Sequence, residues 1–177
     1  MTSKAIAVAL LLGVNILPAQ AQAQDPALAA SIATPSRPLT ATDLEGLRAE
    51  LRSSRKQIMA STLKLTDAEA TRFWPVYDQY AADLSKIKNS QYELIAEYAN
   101  TYGKYDDKAA STFIAKWVDL DVKTSALRAR YVPQVDRVLP GVKAATFFQI
   151  DRGISMAIDL KIAAGLPLLQ SQTQARP

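Results

Sequence analysis

Residues 65–100 read LTDAEATRFWPVYDQYAADLSKIKNSQYELIAEYAN, and this stretch decides the fold. It opens with Leu65-Thr66-Asp67-Ala68-Glu69. The Thr66 hydroxyl can cap the first helical amides while the Glu69 carboxylate reaches back, and Asp67 suits the positive end of the helix dipole. Behind that capping box, Phe73, Tyr77, Tyr80, Leu84, Ile87, Leu94 and Tyr98 fall on one helical face. The pattern predicts a rod reaching about Asn100, roughly 50 Å long at 1.5 Å per residue.

On the N-terminal side, a helix is predicted from Asp43 to about Ala60. Thr42 and Glu45 are spaced as its capping box, and Leu44, Leu47, Leu51 and Ile58 form its apolar stripe. On the C-terminal side, Tyr102-Gly103-Lys104-Tyr105 interrupts the periodicity, with Gly103 able to take positive φ. Asp106 then suits the N-cap of a third helix carrying Phe113, Trp117, Leu120, Leu127, Tyr131, Val135 and Val138. Leu139-Pro140-Gly141 marks a further turn, and a fourth helix shows Phe147, Ile150, Ile154, Ile158 and Ile162 before Gly165 and Pro167 stop it. The expectation is an all-α fold of four amphipathic helices. The second and third form a long antiparallel helical hairpin, because a short turn reverses the chain without displacing it far.

Pro75 and Pro133 fall inside the two long helices. Each removes one backbone hydrogen bond and crowds a carbonyl four residues earlier, Thr71 or Ala129, at about 3 kcal/mol in a straight helix. On one reading both rods bend and present a curved surface; on the other each proline is a tolerated kink or a break. Trp74 is a poor N-cap, which favours a kink over a break.

The ends read differently. Lys4 followed by the apolar run Ala5–Leu17 and then Pro18-Ala19-Gln20-Ala21-Gln22-Ala23 has the layout of a cleavable export signal, cut after Ala21 or after Ala23. The apolar run is shorter than the about 20 residues that span a bilayer. The expected organisation is a signal peptide over 1–23, a disordered leader over 24–41, one helical domain over 42–169, and a disordered tail over 170–177. The leader contains Pro26, Pro35 and Pro38. A periplasmic location follows, with no membrane span after cleavage.

Composition excludes more than it assigns. The chain has no cysteine and no histidine. Disulfides, thiolate nucleophiles, His-assisted serine chemistry and the commonest zinc and copper ligands are therefore absent. No phosphate-binding GxxxxGK[ST] loop is present. A formal net charge of +4 is too small to argue for nucleic acid. The carboxylates Glu93, Glu97, Asp106 and Asp107 suit an exposed face and a helix cap, and Ser53, Ser54 and Ser125 lack a His partner. Met59 and Met156 lie on apolar helical stretches and are expected in the core. The chain is not expected to be an enzyme, and no cofactor or metal is expected.

The pentapeptide Leu65-Thr66-Asp67-Ala68-Glu69 resembles the LTxxQ motif of the Spy/CpxP-like periplasmic proteins, with Glu69 in the glutamine position. The place of that family's second motif is taken here by Leu139-Pro140-Gly141-Val142-Lys143, followed by Phe147-Phe148. The run Phe73–Asp78 suggests a separate branch. The resemblance covers about Leu44–Leu160 in order and spacing of elements. It implies a thin, curved homodimer that shields unfolded or stressed envelope proteins without ATP. Some relatives instead sense envelope stress, which gives the alternative of a regulatory protein docking to a folded partner such as a sensor kinase.

Two groups are the candidate binding residues. Arg48, Arg52, Arg55 and Lys56 are spaced to project together from the first helix, as a cationic face for unfolded clients or as an ordinary solvated face. Tyr92, Tyr98, Tyr102 and Tyr105 cluster near the hairpin turn, as a client surface, a dimer seam, or core and helix-end packing. Leu65, Thr66 and Glu69 form the capping motif.

Overall fold

A computed structural model of the protein describes residues 40–169, with four helices and, among the described residues, no strand. They are α1 (Ala41–Thr62), α2 (Asp67–Thr101), α3 (Asp107–Asp136) and α4 (Gly141–Gly165). The predicted signal peptide, most of the leader and the tail lie outside the described residues.

Caps fix three of the four helix starts. Thr66 accepts from the Glu69 amide at 3.3 Å and Glu69 Oε2 accepts from the Thr66 amide at 2.8 Å, the reciprocal box expected for α2. Asp106 accepts from the Ala109 amide at 2.7 Å and opens α3. The first helix starts earlier than predicted. Its box is Thr40 with Asp43, at 3.2 and 2.9 Å, not Thr42 with Glu45. Pro140 opens α4 with no side-chain cap. In the α2–α3 turn Gly103 takes φ +88°, the left-handed conformation that a side chain disfavours. Pro75 and Pro133 both lie within uninterrupted helices, so neither breaks its rod.

Contacts between helices set an up-down-up-down order. Asp83 of α2 meets Arg130 and Tyr131 of α3, whereas nearer the turn Glu97 meets Lys116, so the hairpin is antiparallel as expected. Glu69 joins Lys143 at the starts of α2 and α4, and Tyr98 in the last turn of α2 reaches Pro167 just past the end of α4, so those two helices run the same way. All four helices contribute to one core. Met59 comes from α1 and Leu63 from its C-cap, Phe73, Tyr77 and Tyr80 from α2, Leu127, Tyr131 and Val135 from α3, and Ala144 and Phe147 from α4. Phe147 packs edge-on against Phe73 at 5.4 Å and Tyr80 at 5.5 Å, the geometry ring quadrupoles favour. A second, smaller core joins Tyr92 and Ile95 to Ile158 and Ile162, with Trp117 against it.

Two packing expectations change. Among the described residues of α1, Met59 is buried, while Ile58, one step of about 100° round the helix, is 40% exposed. Met156, expected in the core, is 60% exposed on the outside of α4.

Candidate functional site

The inner face of α4 carries Phe147, Ile158 and Ile162, and Asp151 falls on that same face, four residues after Phe147. It is 1% exposed. A lone carboxylate there would be strongly disfavoured, and the other three helices each supply a partner. Arg55 of α1 donates to Oδ1 at 2.5 Å, Tyr80 of α2 donates its hydroxyl to Oδ2 at 2.8 Å, and Arg128 of α3 donates from Nε to Oδ2 at 2.9 Å. Ser155, one turn further on, accepts from Arg128 at 2.9 Å and from Arg55 at 3.4 Å. The result is a polar brace between the two cores.

Its electrostatics are those of a fixed support. Burial, reinforced by the Asp151 charge, raises the Tyr80 phenol well above its ordinary range, so it stays a neutral donor. Burial works against the Arg128 charge, but the hydrogen bond and charge of Asp151 outweigh it and keep the guanidinium firmly protonated.

The predicted cationic face of α1 divides here. Arg55 is turned inward onto Asp151, and Met59, one turn later on the same side, is fully buried. Lys56 points outward, pairs with Asp78 at 2.6 Å, and sits 5.3 Å from the Trp74 ring. Adjacent residues on a helix diverge by about 100°, so 55 and 56 cannot both join one stripe. The side chains of Arg48 and Arg52 lie outside the described residues.

Of the readings the sequence leaves open for the tyrosines, the structure places them in core and helix-end packing. Tyr92 and Tyr98 are buried, and Tyr102 and Tyr105 are half-buried. Tyr98 stacks near Phe113 at 4.7 Å, Tyr105 at 5.4 Å and Tyr102 at 5.8 Å. Its hydroxyl donates to the Pro167 carbonyl, and Tyr102 donates to the Leu168 carbonyl at 3.0 Å. Burial raises the Tyr98 phenol to about 12. This cluster fastens the chain after α4 to the hairpin turn, which is a packing role.

At the opposite end, Leu65 packs on the first core and Glu69 accepts from Lys143 at 2.5 Å. The bond from Lys143, with those from Thr66, lowers the Glu69 carboxyl to about 2.

Outside the bundle, α3 carries a second apolar row that the core-facing pattern conceals. Ile114, Val118 and Val122, each four residues apart, are 52–60% exposed. On neighbouring α4, Met156 is 60% and Leu160 is 71% exposed, and Met156 shares a crevice with Asp121 and Ser125 of α3. α3 and α4 run antiparallel and meet through Arg128, Asp151 and Ser155, so the two exposed rows lie on neighbouring helices. The signal was present as β-branched apolar residues at i, i+4 and i+8 on a face that otherwise should be polar. Asp151 had its own signal, a carboxylate set within an apolar stripe.

No family model, curated protein or solved structure matches this chain.

Proposed function

We propose that the protein is a non-catalytic, ATP-independent chaperone of the bacterial envelope, holding unfolded or partly folded periplasmic proteins. The reading is carried by one observation, the exposed apolar rows Ile114-Val118-Val122 and Met156-Leu160 on adjacent helices. An apolar area of this kind rimmed by charge is a usual mark of a protein-binding surface. Arg152 and Asp121 line the crevice beside Met156. Burial of extended apolar segments there needs no shape-specific pocket, so dissimilar clients can bind and leave. The Leu65–Glu69 resemblance supports the same reading and adds export, a homodimeric state and a curved surface as further parts of the proposal.

The test is suppression of light scattering by two unrelated unfolding clients at near-stoichiometric protein, beside a pull-down from envelope extract. Suppression of both supports the proposal. Failure with both, together with capture of a single native protein, assigns the surface to a regulatory docking role instead.

A further inference from the structure

A different feature adjoins the Met156 crevice, with which it shares Lys88. Between α1, α2 and α4 the bundle leaves a cleft of about 190 Å³. That volume far exceeds the roughly 10–15 Å³ a single water needs. It is smaller than the about 300–1,000 Å³ of pockets for drug-sized molecules. One wall is apolar, with Ala81, Leu84, Tyr92 and Ile158; the other carries the cations Arg55 and Lys88, and the mutually paired Lys56 and Asp78 stand at its exposed edge.

The cations are incompletely matched. Lys88 is 13% exposed; it donates to the neutral Gln91 Oε1 at 2.7 Å, while its carboxylate partner Asp159 is 3.5 Å away and half-exposed. Arg55 shares its partner, Asp151, with Arg128. Three cations thus meet two carboxylates among the described residues of this buried group. Burial lowers the Lys88 ammonium, against the pull of Asp159, which is the signature of a charge short of compensation. Out of bulk water a single unmatched charge attracts a counter-ion more strongly than at the surface. An inorganic anion would satisfy the charge and leave the apolar wall wet.

We propose that this cleft binds a short apolar monocarboxylate, its carboxylate against Arg55 and Lys88 and its hydrocarbon against Leu84, Tyr92 and Ile158. Such a group occurs as a free short-chain acid or as the terminus of a peptide ending in an apolar residue. Both offer one negative charge on a small apolar body.

Thermal unfolding and NMR titration of the full chain with hexanoate, hexanamide, sulfate, and acetyl-Ala-Leu as acid and as amide test this. Hexanoate is expected to raise the midpoint and to shift amides over residues 84–92 and around Ile158, while hexanamide and sulfate do neither. A response to the peptide acid alone assigns the site to chain termini; a response to both acids admits free carboxylates. Lys88→Gln is expected to weaken the acid at least about tenfold, since a charge-assisted hydrogen bond is lost. If that variant folds poorly, the location of the shifts in the unaltered protein decides. Equal responses to acid and amide, no response to any acid, shifts elsewhere, or a folded Lys88→Gln that binds unchanged would each overturn the assignment.

Discussion

Glu69 and Lys143 occupy the same fifth position in two helix-opening pentapeptides, Leu65–Glu69 and Leu139–Lys143, and bind each other at 2.5 Å. The two helix starts, which share their leading leucine, are therefore pinned together in space, with opposite charges at equivalent positions. Glu69 serves twice, closing the α2 cap through the Thr66 amide and anchoring α4, whose own start has no side-chain cap.

That double role has a pH signature. The carboxyl falls from an ordinary 4.5 to about 2 on folding, so the folded state favours its ionised form. The associated stability is complete above about pH 4.5 and is lost as pH falls toward about 2. Glu69→Gln retains an acceptor for the Thr66 amide and removes the charge. The difference in urea midpoint between the two proteins should be greatest near neutral pH and vanish by about pH 2. A constant difference across that range would show that Lys143 contributes nothing through charge.

Removing the carboxylate at the centre of the bundle should be far more damaging than trimming its edge. Asp151→Asn preserves shape but leaves two guanidinium groups without a counter-charge, an expected loss of about 3–5 kcal/mol. Tyr80→Phe leaves both arginines in place and removes one hydrogen bond, an expected loss of about 1–2 kcal/mol. Equilibrium urea unfolding separates the two, and equal losses would mean that Asp151 is not the hub.

Neighbouring cations of α1 should respond unequally. Arg55→Ala removes a charged hydrogen bond to a buried carboxylate, worth about 1.5–3 kcal/mol. Lys56→Ala loses an exposed pair with Asp78 and a ring contact with Trp74, together about 1 kcal/mol or less. Denaturation midpoints check this. A charge reversal at Arg55 would accordingly report on folding before it reported on any client.

Much of the architecture was legible because its signals are local. Thr66, Asp106 and Gly103 act within one helical turn, and each does what its chemistry predicts. The first helix start was ambiguous for the same reason: Thr40 with Asp43 and Thr42 with Glu45 satisfy one spacing rule, and only geometry selects between them. Arg55 and Asp151 were beyond reach because their roles depend on partners 96 residues apart in sequence. A carboxylate inside an apolar stripe announces an anomaly, but not that three other helices will answer it. Periodicity likewise finds the side of α3 facing the core and passes over Ile114, Val118 and Val122, whose spacing is equally regular on the outside.

The outer rows give the most direct functional prediction. Val118→Lys and Leu160→Lys replace residues that are 52% and 71% exposed, one on α3 and one on α4, with a good helix former. Folding should change by about 0.5 kcal/mol or less for each, since neither residue is in the core. Client affinity should fall much further. Burying one such side chain against a client contributes about 1.5–3 kcal/mol, which is about tenfold or more in affinity. The double variant should therefore melt within a few degrees of the parent while losing most suppression of client aggregation, and Lys56→Ala should retain it. Circular dichroism melts and light scattering on the same preparations provide the comparison. Undiminished suppression by the double variant would remove the apolar rows from the mechanism, because no other change introduced there could leave binding intact while replacing the groups that bind.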